Sequence, residues 1–151
     1  MNMNIKEAVD KNVVWDRLFP NGLNEPVFIE PIRINLGQRM ELKLHTKQKP
    51  DIEIEKWGKW GVDYNVIIIE LNAFCHDIDI KNWKEKGYGE LSVQLLNNDN
   101  SGDPTFLIVH SSPKSTLKIE CNKLHCQGCS RYLSHPERYY NFNFWRRDYE
   151  Y

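Results

Sequence analysis

Ile32-Arg33-Ile34-Asn35-Leu36-Gly37-Gln38-Arg39-Met40-Glu41-Leu42-Lys43-Leu44 is the stretch on which the fold turns. Ile32, Ile34 and Leu36 alternate with polar residues, and Met40, Leu42 and Leu44 do the same after a break. A period of two puts all the apolar side chains of a strand on one face. Gly37-Gln38 between the two runs reads as a tight hairpin connection. The pair predicts antiparallel strands with one face buried and the other in water.

The same pattern extends outward. Ile52 and Ile54 alternate with Asp51, Glu53 and Glu55, which predicts another strand. Val66–Leu71, with its unbroken apolar run at Val66–Ile69, suits a strand buried on both faces. Ile78 and Ile80 alternate with Asp77 and Asp79, and Leu91, Val93 and Leu95 alternate with polar neighbours. Asn97 to Pro104 is a cluster of turn residues. Phe106–Val109, Leu117–Cys121 and Leu124–Cys126 follow as strands, the last two separated by Asn122-Lys123. Tyr140, Phe142 and Phe144 fit one face of a final strand. Before the hairpin the period is helical. Asn4 and Glu7 have capping-box spacing, and Ile5, Ala8, Val9 and Val13 recur as one helical face ahead of Pro20.

These elements predict a mainly β chain, with α+β as the variant. One domain spans residues 1–151, with a short helix over about residues 4–19 and nine or ten short strands over about 27–146. The strands form an antiparallel sheet, curved or sandwich-like. Composition agrees: 151 residues fit one core, and 40% apolar with 27% charged residues is globular. A formal net charge of −1 argues against a general nucleic-acid binder, which would be basic. The longest apolar run falls far short of the roughly 20 residues a membrane helix needs. Met1 to Asn12 carries Lys6, Glu7, Asp10 and Lys11 and lacks the form of a signal peptide, so the expected location is the cytoplasm, with the four cysteines reduced.

Candidate chemistry is sparse. Cys121, His125, Cys126 and Cys129 fall within nine residues, and thiolate and imidazole are zinc ligands. Yet Cys75-His76 is a poor second half-site, because adjacent strand residues point to opposite faces. Cys121 continues the Leu117, Ile119 alternation and Cys126 continues from Leu124, so core cysteines are the expectation. His110-Ser111-Ser112 offers no convergent nucleophile and base. Gly87-Tyr88-Gly89 lacks the context of a phosphate loop. No catalytic residue, metal or cofactor is expected.

Charge is more informative. Between Asp51 and Asp103 stand 11 acids against five lysines, a local net charge of −6 in a nearly neutral chain. Asp51, Glu53, Glu55, Asp77 and Asp79 are expected on exposed strand faces. Trp57 and Trp60 lie close by, and tryptophan is enriched at binding hot spots. These seven residues are the candidate partner-binding surface.

A resemblance sharpens the reading. Trp15-Asp16-Arg17-Leu18-Phe19-Pro20 after a short helix is similar to the start of small bacterial immunity proteins. The Asp77-Ile78-Asp79-Ile80-Lys81-Asn82-Trp83 strand and the Ser111-Ser112-Pro113 turn follow in the same order. So does Ile119-Glu120-Cys121-Asn122-Lys123-Leu124, running on to Ser130-Arg131-Tyr132. Over roughly residues 13 to 132 the chain resembles immunity protein family 50 of polymorphic toxin systems, among which contact-dependent inhibition is counted. The resemblance implies a non-catalytic protein that neutralises a cognate toxin domain by occluding its active site or substrate path. A nuclease toxin would suit an acidic inhibitor, since carboxylates mimic its substrate's phosphates. The alternatives are a β-sandwich that binds carbohydrate or another ligand through its aromatics, and a zinc-stabilised module.

Overall fold

The Ile32–Leu44 stretch forms the hairpin its alternation demands. In the computed structural model, which describes residues 2–10, 13–97, 102 and 104–134, strand β2 (Val27–Ile34) pairs antiparallel with β3 (Arg39–Thr46). The turn is tied by Gln38 N donating to Asn35 O at 3.0 Å and Asn35 N donating to Arg39 O at 3.0 Å. Leu36, expected on the apolar face of a strand, sits at the turn and is fully exposed. The loop is therefore longer than the two residues foreseen.

Among the described residues seven strands make one antiparallel sheet in the order β1-β5-β6-β7-β4-β3-β2. Besides the hairpin these are β1 (Asn2–Met3), β4 (Val66–Lys81), β5 (Glu90–Asn97), β6 (Thr105–Ser111) and β7 (Thr116–Tyr132). Among the described residues the nine or ten expected strands become seven: two pairs of them merge into long strands, one does not form, β1 is an addition, and the one expected at Tyr140–Phe144 lies outside the described residues. Val66–Leu71 and Ile78–Ile80 are the two ends of β4, which has 16 residues. Leu117–Cys121 and Leu124–Cys126 are both in β7, which has 17. Asn122-Lys123 does not turn the chain. Lys123 takes a left-handed conformation (φ 55°) and the register slips there, so the strand bends and continues. The Ile52, Ile54 alternation builds no strand. Asp51 N donates to Leu18 O at 2.8 Å instead of to a neighbouring strand, and a 3-10 turn follows at Glu55–Trp57.

β4 and β7 form the spine. β3 pairs with Ile67–Phe74, toward the start of β4, whereas β6 pairs with the first part of β7, Thr116–Asn122, opposite the end of β4. The two halves of the sheet thus hang from opposite edges of one bent strand pair, and register shifts within that pair let it bend. The curl goes far enough for the two flanks to meet. Val27 N donates to Gly89 O and Gly89 N to Val27 O, both at 2.9 Å, which joins the start of β2 to the residue before β5. His110 Nε2 donates to Val27 O at 2.7 Å and reinforces the junction.

The concave face holds the core: Ile29, Met40, Leu42, Leu44, Ile67, Ile69, Leu71, Val93, Ile108, Leu117 and Ile119 are all nearly inaccessible. The helix expected over 4–19 is two short helices, α1 (Ile5–Ala8) and α2 (Val13–Leu18). Ile5, Ala8, Trp15 and Leu18 join the same cluster. The capping box forms as predicted: Asn4 Oδ1 accepts from Lys6 N at 3.2 Å, and Glu7 Oε2 accepts from Asn4 N at 3.3 Å. Asn4 also clasps Leu23 through two bonds of 2.7 and 3.0 Å, so the cap fastens α1 to the segment entering β2. On the convex face Val66, Ile68 and Tyr132 form a smaller buried cluster, with His45 Nδ1 3.1 Å from the Tyr132 hydroxyl. The predicted aromatic strand at Tyr140–Phe144 and most of the Asn97–Pro104 turn lie outside the described residues. Among the described residues no helix is long and apolar enough to cross a membrane.

Candidate partner-binding surface

The seven residues singled out by charge and aromaticity fall into two groups. Asp51, Glu53, Glu55, Trp57 and Trp60 belong to the loop that leads from Pro50 to β4. Asp77 and Asp79 belong to the far end of β4. Asp77 stands eleven residues beyond the start of that strand, which is roughly 35 Å along a straight strand. The structure does not bring the two groups into one patch.

The loop has a definite shape because its backbone is tied at many points. Ile52 and Ile54 are half-buried against the core, which leaves Asp51, Glu53 and Glu55 exposed between them. The alternation seen in the sequence is real, but it is an alternation of anchors and displayed acids rather than a strand. Trp57 N donates to Ile54 O at 2.8 Å. Gly58 then adopts φ 88°, a region that suits glycine, and a Cβ there would collide with the Asp63 side chain. Asp63 Oδ2 accepts from Lys59 N at 2.8 Å, and Asp63 N donates to Lys59 O at the same distance. Gly61 N donates to Tyr64 O at 2.7 Å.

Tyr64 is the post on which the loop is hung. Fully buried, it meets the edges of Trp57 and Trp60 with ring centroids 5.7 and 5.4 Å apart. Arg131 lies over the Trp57 ring at 5.6 Å. Burial raises the Tyr64 phenol above its ordinary range, nearby Glu53 adds to that, and Arg131 opposes it. Trp57 is thereby a core residue and is not displayed. Trp60 is half-buried, and its neighbour Val62 is 66% exposed. None of Asp51, Glu53 and Glu55 makes an ion pair with another described residue. Chemically the loop offers three exposed carboxylates without an ion pair among the described residues, two exposed lysines, Lys56 and Lys59, the exposed part of a tryptophan and a bare valine on a braced frame. The clamp by Asp63 was not foreseen, although Gly58 and Gly61 flanking Lys59-Trp60 were a visible turn signal.

Asp77 and Asp79 are exposed on the convex face while Ile78 packs inward. Asp79 faces Lys118 across the ladder, whereas Asp77 faces Glu120, a like-charge pair that costs some stability. Elsewhere, an open cleft of about 600 Å³ lies beside α1, with walls that include Asp10, Arg39, Phe74, Phe106 and Lys123.

The four cysteines take up core-facing positions. Cys75, Cys121 and Cys126 are buried and Cys129 is half-buried. Among the described residues no three His, Cys, Asp or Glu side chains gather as a metal site.

No family model, curated protein or solved structure matches this chain.

Proposed function

We propose that this protein is a non-catalytic immunity protein. It binds a cognate toxin domain and covers its active site or the path of its substrate, with the loop of residues 51–63 as the docking edge. The observation that carries the reading is the braced loop itself. Three exposed carboxylates, Asp51, Glu53 and Glu55, stand free of ion pairs with described residues on a frame pinned by Leu18, Asp63 and Tyr64. A preformed loop spares the partner the entropy of ordering it, and carboxylates speed encounter with a basic surface. Trp60 and Val62 supply the apolar contact beside the charges. A nuclease, basic where it grips phosphate, is the toxin class that fits best. The resemblance to immunity protein family 50 points the same way.

The test is co-expression with the toxin domain encoded beside this chain's gene, together with association rates for the purified pair. The triple variant D51K/E53K/E55K should fold with stability within about 1.5 kcal/mol of wild type, since each surface change of this kind rarely exceeds about 0.5 kcal/mol. Protection should be lost and association slowed. Added salt should slow wild-type association too, because exposed charges are screened beyond about 8 Å at physiological ionic strength. The variant D77K/D79K probes the other acidic group separately. If the triple variant protects cells and binds at the wild-type rate, the loop is not the docking edge. If the neighbouring domain neither harms cells nor binds, the immunity reading falls.

A further inference from the structure

All four cysteines lie on the β4–β7 spine, and they form two neighbouring pairs. Cys75 and Cys121 are register partners across the two strands. Cys126 and Cys129 both lie on β7, three positions apart, a spacing that puts residues of a regular strand on opposite faces. Here a bulge changes the parity. Leu71 and Glu70 are consecutive on β4, yet they face Cys126 and Gly128, so Gln127 is left without a partner. Cys126 and Cys129 consequently lie opposite Leu71 and Ile69, both core-facing residues. Both thiols therefore turn to the same face of the sheet, close enough to perturb one another, and Cys126 Sγ lies 3.7 Å from Gly128 O.

We propose that Cys126 and Cys129 form a peroxide-sensitive dithiol that closes to a disulfide. The neighbouring Cys129 thiol holds the Cys126 thiol below its ordinary range, against the opposing effects of burial and of the Glu70 and Asp16 carboxylates, and Cys126 in turn raises Cys129. This is the arrangement that makes one sulfur of a Cys-X-X-Cys pair the nucleophile. The other pair lacks it, because burial pushes Cys121 up to about 12, with Cys75 and Glu120 adding to the shift. Cys126 is 2% exposed, so the oxidant must be small, and hydrogen peroxide fits where a bulky disulfide such as that of glutathione does not.

The chemistry balances. The Cys126 thiolate attacks one peroxide oxygen, an S–O bond forms as O–O breaks, and hydroxide leaves to take up the proton Cys126 had released. Cys126 is then a sulfenic acid. The Cys129 sulfur attacks the Cys126 sulfur, S–S forms as S–O breaks, and the hydroxyl departs as water with the Cys129 proton. Two thiols lose two electrons in all, and one peroxide becomes two waters.

The experiment uses the full reduced chain. It is treated with hydrogen peroxide, alkylated with iodoacetamide and digested with trypsin. Cleavage after Lys123 and Arg131 releases Leu124–Arg131 carrying both cysteines, while Cys121 leaves on Ile119–Lys123 and Cys75 on Trp60–Lys81. The expected result is a two-hydrogen mass loss and no alkylation on Leu124–Arg131, with Cys75 and Cys121 still fully alkylated. Replacing the second sulfur, C129S, should halt the reaction at a sulfenic acid on Cys126 that dimedone traps. The proposal is overturned if both cysteines stay alkylatable under peroxide that oxidises free cysteine. A disulfide to Cys75, to Cys121 or between two chains would overturn it equally.

Discussion

Replacing Gly89 by alanine tests the closure of the sheet. A Cβ at this position would lie 2.6 Å from the Ser111 carbonyl carbon and 2.7 Å from Ser112 N, and both of those atoms belong to the backbone. Neither can step aside alone, because Ser111 is paired with Glu90 at the start of β5. Residue 89 must move, and its two bonds to Val27 are what it would give up. Each backbone hydrogen bond contributes about 0.5–1.5 kcal/mol net. Forced overpacking costs roughly 1–3 kcal/mol more. The expected loss is therefore about 2–6 kcal/mol, a large share of the roughly 5–15 kcal/mol that holds a domain folded. Urea denaturation followed by tryptophan fluorescence is the assay. At a slope of about 2 kcal/mol per molar, a 4 kcal/mol loss lowers the midpoint by roughly 2 M. Gly87 is the control, since a Cβ there meets nothing within 4 Å, and G87A should change stability by no more than about 0.5 kcal/mol. Equal midpoints for G89A and G87A would refute the claim that the Val27–Gly89 junction holds the two flanks together.

Three further outcomes are expected. Asn4→Ala should cost about 1–3 kcal/mol in the same assay, because it removes a helix cap and both bonds to Leu23; a change below the noise would show that α1 is not fastened by this residue. Burial lowers the pKa of His110 from 6.5, only partly offset by its bond to Val27, so the unfolded chain binds a proton that the folded chain refuses. The His110 contribution is whole above about pH 6.5 and declines as pH falls toward the depressed folded value, and His110→Asn should show a shallower loss of stability than wild type between pH 7.5 and 5.5. Parallel pH profiles would contradict this. Finally, a chelator should leave the melting temperature unchanged, since Cys75, Cys121 and Cys126 pack as apolar residues; a large drop, or stoichiometric zinc in the purified protein, would bring the zinc module back.

Much of this protein is legible in the chain itself, because local rules suffice there. The hairpin around Gly37-Gln38, the capping box at Asn4 and Glu7, and the strand buried on both faces at Val66–Ile69 depend on side-chain period and short-range hydrogen bonds. The inward set of Leu117, Ile119 and Cys121 follows from the same period. What one residue says to the next does not reveal whether a strand finds a partner. Ile52 and Ile54 carry a strand's pattern, but the backbone beside them is committed to Leu18, thirty-odd residues earlier, and so they anchor a loop. Nor does the chain announce that Asn122-Lys123 bends a strand instead of ending it, since that depends on β4 and β6 lying on either side. The division of the acids between a braced loop and the far end of β4 was likewise decided by tertiary structure. So was the turning of Cys126 and Cys129 to one face, because a bulge exists only against the strand that leaves Gln127 unpaired. Periodicity tells each side chain which way to point, and only the neighbouring strands decide what it meets there.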